Sequence, residues 1–174
     1  HKHGPGTPAA DAFYSMIDHH LIKMQAHDAV IALTADHGMK AKHDSAGQPN
    51  IVYLKPLIEE LLASDRFRII LPITDPYVVH HGALGGFATI YLADPADVQP
   101  VCHKLSAQKG IELVLEGPLA CERFSLPPDR VGHIVVISSA ESVLGHSQQY
   151  HDLSALSEPL RSHGGLSEQR VPFI

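Results

Sequence analysis

The stretch Asp28-Ala29-Val30-Ile31-Ala32-Leu33-Thr34-Ala35-Asp36-His37-Gly38-Met39 decides how the rest of the chain is read. It opens as a short, near-continuous apolar run, the pattern of a parallel strand covered by helices on both faces. The run stops at Asp36-His37-Gly38. In open α/β sheets ligands bind just beyond the carboxyl ends of the strands, so a carboxylate and an imidazole stand where chemistry is usually done. Side by side they supply an oxygen and a nitrogen suited to a zinc-class ion. Read alone, the tripeptide also fits an N-capping Asp followed by a solvated His in a turn.

Bulk properties narrow the function classes. At 174 residues the chain can bury a sizeable core as one or two domains. A formal net charge of −6 gives no electrostatic footprint for nucleic acid or an anionic membrane, so neither is an expected partner. An anionic substrate would need local positive charge, such as metal ions. Cys102 and Cys121 lack CxxC spacing and read as reduced thiols, which favours a cytoplasmic location over a disulfide framework. No run reaches transmembrane length. Fourteen histidines raise the prior for metal binding only slightly, because most are scattered.

Working outward, Thr7 and Pro8 read as N-cap and first helical position, with Asp11 favourable in the first turn. Phe13, Met16, Ile17, Leu21 and Met24 recur at helical spacing to about Ala26 and are expected to form a core stripe. His19, His20 and His27 fall off that stripe and read as solvated. A polar loop spans Lys40 to Asn50. Beyond it, strands are expected at Ile51–Leu54, Phe67–Ile73, Phe87–Leu92 and Ile111–Leu115. Helices are expected at Pro56–Ser64 and Ala96–Lys109, the second closed by Gly110. Ser125-Leu126-Pro127-Pro128 reads as a return linker. Gly132–Ser139 carries a second apolar run like the first, and Val171–Ile174 reads as an edge strand.

Three fragments carry a resemblance. Thr34-Ala35-Asp36-His37-Gly38-Met39 resembles the Thr-(Ser/Ala)-Asp-His-Gly-Met signature of the alkaline-phosphatase superfamily. His1-Lys2-His3-Gly4-Pro5 resembles the tail of its Asp-x-x-x-His-x-x-Gly-Pro motif, and Ser162-His163-Gly164-Gly165 its closing His-Gly-Gly. The surrounding wording is similar to the phosphonoacetate hydrolases of that superfamily: Pro5–Pro8, Ala41–Asp44, Asp75–Gly82 and Arg161–Ile174.

The resemblance implies an α/β fold, an alkaline-phosphatase-like sheet covered by helices with an inserted α+β cap. Residues 1–49 and 129–174 would form the metal-binding core and 50–128 the cap. It implies two Zn2+ ions. His1 and His163 would hold one, and Asp36 and His37 the other, with His1 also touching substrate. It further implies a missing N-terminal part of the same enzyme that carries the nucleophile and the remaining ligands. The implied reaction is hydrolysis of the carbon–phosphorus bond of a small phosphonate, phosphonoacetate, to acetate and phosphate through a phospho-enzyme. Lys40, Lys42 and His43 are candidates to hold the substrate carboxylate, against the alternative of a solvated loop. A homodimer is compatible with this reading. Two other functions stay open: a phosphodiesterase or nucleotide pyrophosphatase of the same superfamily, and an inactive metal-binding fragment.

Overall fold

The computed structural model describes residues 3–73, 84–154, 156 and 158–174. His1, a candidate ligand, lies outside the described residues, and so does the Asp75–Gly82 fragment. The first element, α1 (Pro8–Met24), starts as the sequence dictates. Thr7 caps it by accepting from the Ala10 N–H, Pro8 opens it, and Asp11 sits in its first turn. Its apolar stripe is not core, however. No α1 residue is buried, and Phe13, Met16 and Met24 are each about half exposed. Only Ile17 and Leu21 are partly covered. A stripe becomes core only where another apolar face meets it, and none of the described residues closes over this one.

The same reasoning corrects the expected strand at 30–33, which forms no regular strand, and Val30 is fully exposed. Leu33 instead exchanges both main-chain hydrogen bonds with Ile174, at 2.9 and 3.0 Å, and Thr34 bridges Phe173 in antiparallel sense. The tail thus acts as the expected edge, but it supplies a partner on one side only. An apolar run is a buried strand only when neighbours flank it on both edges and cover both faces.

The well-packed part of the chain is a four-stranded antiparallel sheet. Its strands are β3 (Phe67–Ile70), β4 (Phe87–Leu92), β5 (Ile111–Glu116) and β6 (Ile134–Ser138), in the order β3-β4-β6-β5. Ile134 and Val136 point to one face, packing with Ala88, Ile90 and Leu92 against α2 (Leu54–Glu59) and α3 (Val98–Ser106). Val135 and Ile137 point to the other, packing on Ala120 of α4 (Gly117–Phe124). Being covered on both faces is why β6 is buried at every position and apolar from Ile134 to Ile137. It was expected to return to a core of residues 129–174, yet it pairs with β4 on one edge and β5 on the other. A boundary at 128/129 separates it from both partners. A bulge between Ile111 and Leu113 shifts the β5 register, so these residues, two apart, serve opposite faces.

Two short pairings complete the frame. β1 (Lys40–Ala41) pairs antiparallel with β8 (Arg161–Ser162), and β2 (Ile51–Tyr53) runs parallel to β7 (Val143–Gly145). The helix α4 went unread in the sequence. Gly117-Pro118 looks like a turn, but Pro within the first turn of a helix is also a start signal. Ser125, read as linker, closes it in the left-handed region at φ 53°.

The double coverage of β6 makes a stability prediction. Ile134→Ala removes a fully buried side chain and should cost about 2–5 kcal/mol. Leu119→Ala, on the half-exposed side of α4, should stay within about 0.5 kcal/mol. Urea unfolding of the two variants checks the contrast, and equal losses would mean that β6 is not the centre of the core.

Candidate metal centre

The β1–β8 pairing is what brings distant motifs together. Asp36-His37 precedes β1 by three residues, and His163 follows β8 at once. Because Lys40 pairs with Ser162, the chain entering β1 and the chain leaving β8 lie beside each other. The His37 and His163 rings consequently stack, with centroids 3.7 Å apart and planes within 7°. The Asp36 carboxylate joins them, its Oδ1 3.8 Å from His37 Nε2. That carboxylate is almost wholly exposed, whereas His37 is partly covered.

Local bonding sets what each group offers. His37 Nδ1 lies 2.9 Å from the Gly38 carbonyl oxygen, so this nitrogen carries the proton in the neutral ring and donates it there. Nε2 then bears the lone pair. A ring nitrogen tied to a main-chain carbonyl in this way is the usual support of a metal-ligating histidine. The His37 N–H also donates to Asp36 Oδ1 at 3.1 Å. On the other loop, the His163 carbonyl accepts the Gly86 N–H at 2.7 Å, and Ser162 Oγ donates to the Leu84 carbonyl at 2.7 Å. Gly164 takes φ +99°, the left-handed turn that carries the chain away after His163.

The first motif reaches the same place. A β-carbon on Gly4 would sit 3.0 Å from Arg161 Nη1, so the segment following His1 lies against the strand that leads into His163. Among the described residues there is no group of three or more His, Cys, Asp or Glu placed to hold one ion. Asp36 and His37 are neighbouring donors of the oxygen and nitrogen type that suits zinc.

Behind the rings lies a pair that sequence reasoning missed. Lys42 is fully buried, with Nζ donating to Glu168 Oε1 at 3.1 Å and to the Ala140 carbonyl at 2.8 Å. Burial pushes its ammonium below the usual lysine range, while Glu168 pulls the other way. Lys42 is therefore not a hand for a substrate carboxylate. His43 turns its Nδ1 to the Asp44 carbonyl, 2.8 Å away, and only Lys40 of the three candidates is exposed. β1 covers only Lys40–Ala41, too short for an alternation that would have marked Lys42 as buried. His19, His20 and His27 are exposed, as their place off the helical stripe implies.

An open cavity of about 620 Å³ adjoins the His163 loop, lined by Gly164, Leu166, Gln169, Phe87, Phe124 and Arg123. It lies between the antiparallel sheet and the metal-loop segments, with a guanidinium on its wall.

No family model matches the chain. Among solved structures, it is similar along its whole length to phosphonoacetate hydrolase from Sinorhizobium meliloti 1021, at 54% identity. The TM-scores are 0.94 for that enzyme's complex with phosphonoformate and 0.93 for its complex with phosphonoacetate. It also superposes on murine and human ectonucleotide pyrophosphatase/phosphodiesterase 5, at 21% and 19% identity and TM-scores of 0.63, a likeness of fold. In each case the chain spans 42% of the other protein's length. With 54% identity over all its residues, the chain resembles phosphonoacetate hydrolase, of which it spans 42%.

Proposed function

We propose that Asp36, His37 and His163, together with His1, hold two zinc ions in a phosphonoacetate-hydrolysing enzyme. The observation that carries this reading is the stack of His37 on His163, two motif histidines brought face to face from opposite ends of the chain. The two rings are in direct contact, so groups ligating adjacent ions could be served from this one place. Asp36 and His37 would serve one ion, His163 and His1 the other. The remaining ligands and the nucleophile would come from sequence preceding His1. In that role the ions supply Lewis acidity that balances charge on the phosphoryl oxygens.

The chain's own residues would do the positioning. The Gly38 carbonyl fixes the His37 tautomer, so that Nε2 faces outward as an acceptor. The Asp36 carboxylate supplies an anionic oxygen, and the main-chain bond from Gly86 steadies the His163 segment. In the overall reaction water adds to phosphorus and the carbon–phosphorus bond breaks. Its electron pair passes to the methylene carbon, delocalises into the adjacent carboxylate, and is protonated to give acetate. The four-stranded sheet with α2, α3 and α4 would act as the cap, with the cavity beside Arg123 as the approach to the centre. The 54% identity to an enzyme seen with phosphonoacetate favours this substrate over a phosphodiester, for which the similarity is one of fold.

Two outcomes follow in the full-length protein. Chelation should abolish phosphate release from phosphonoacetate and zinc should restore it, while a nitrophenyl phosphodiester should be cleaved far more slowly. A faster phosphodiester reaction would move the protein to the other branch of the superfamily. Asp36→Asn exchanges a carboxylate for a poorer, neutral ligand. It should lower turnover by more than the roughly 10–100-fold typical of losing a ligand's outer partner, and excess zinc should recover part of the rate. Wild-type rates from this variant in zinc-free buffer would remove Asp36 from the site.

A further inference from the structure

The buried ion pair stands behind both histidine loops and is bonded to each. Glu168 has a side-chain exposure of 2% and Lys42 of 0%. One Glu168 oxygen accepts from Lys42 Nζ at 3.1 Å; the other accepts the Gly165 N–H at 2.8 Å. The Glu168 carbonyl accepts the Gly38 N–H at 2.7 Å. A single residue therefore holds the backbone one position after His37 and two positions after His163. Lys42 is itself pinned, its N–H donating to the Leu160 carbonyl at 2.8 Å and its Nζ also to Ala140.

Stability alone does not account for such a pair. Burying two charges costs several kcal/mol per ion, and apolar replacements of similar volume are often as stable or more so. What charge-assisted hydrogen bonds add over apolar contact is direction and length. Here that direction is applied between the two loops.

We propose that Lys42–Glu168 is a positioning device for the metal centre, setting the spacing at which His37 and His163 present their rings. The inference rests on the metal-centre reading above. Both are positioning residues: they act through Gly38 and Gly165, and the ligands remain the histidines and Asp36.

The test uses the full-length protein with zinc as the probe. Zinc affinity is measured by competition with a chromophoric chelator, geometry by the absorption spectrum of the Co2+ form, and stability by the Tm of the apo protein. Glu168→Gln keeps the length and an oxygen for the Gly165 N–H but leaves the Lys42 charge unmatched. The double variant Lys42→Met/Glu168→Leu removes both charges and the side-chain bond to the Gly165 N–H while keeping apolar volume in their place. Both should lose about 10–100-fold in zinc affinity, as outer-partner changes typically do, and shift the Co2+ bands. The double variant should keep an apo Tm near wild type and decides the matter if the single variant does not fold. Wild-type zinc affinity and Co2+ spectrum in the double variant would overturn the proposal. So would its failure to fold, since the pair would then be holding the fold and not the spacing. Wild-type protein that binds no zinc would instead sink the metal-centre reading itself.

Discussion

Lys42 and Glu168 meet in a place where neither can be solvated, and much of the site follows from satisfying them. Glu168 has two carboxylate oxygens and a carbonyl to satisfy; it does so with Lys42, Gly165 and Gly38. Buried polar groups left unpaired cost about 1–3 kcal/mol each, more when charged, which favours these contacts together with the bond that Ser167 Oγ makes to Oε1. Meeting them closes the chain after His37 against the chain after His163. The β1–β8 pairing then fixes their relative slide. Convergence of distant motif residues here is a consequence of backbone bonding and one ion pair.

The two parts of the molecule differ in what holds them. The four-stranded sheet is packed on both faces by apolar side chains, with Ile90, Ile134 and Val136 fully buried. Around the histidines the described contacts are mostly polar and main-chain, and Asp36 is nearly all exposed. Such a division suits a rigid, apolar unit beside a polar site whose groups must stay accessible to ligand. Where the two meet, Gly86 serves both. Its N–H goes to the His163 carbonyl, and its carbonyl accepts the Ser138 N–H at the end of β6.

Local signals were legible wherever a residue's role depends on its neighbours in sequence. Thr7 and Pro8 start α1, and Phe87–Leu92 is a strand with the expected bounds, whereas α3 ends at Ser106 with Ala107 as its cap, three residues before Gly110. The motif residues Asp36, His37 and His163 were likewise identifiable, since their wording is specific. What failed was burial. The stripe of α1 and the run at 30–33 carry core-like patterns without the partners that would make them core among the described residues. The β6 run has those partners, but on an antiparallel sheet whose neighbours are β4 and β5. Apolar periodicity reports which face is sticky; it is silent on what sticks to it. The Lys42–Glu168 pair was invisible for the same reason, because pairing across such a sequence separation is decided by the fold.

The location of Lys42 also bears on how an anion is handled. The chain is acidic overall, with a formal charge of −6, and Asp36 adds a carboxylate at the site itself. A dianionic or trianionic phosphonate approaching this edge meets repulsion unless cations compensate. Lys42 has been withdrawn into the interior, its charge answered by Glu168, which leaves Lys40 as the exposed lysine beside the motif. A carboxylate beside imidazoles is a donor set that suits a cation better than an anion. Arg123 lines the cavity that adjoins the His163 loop. An anion at this edge would rely on Lys40, on Arg123 of the cavity wall or on bound cations to offset the Asp36 carboxylate.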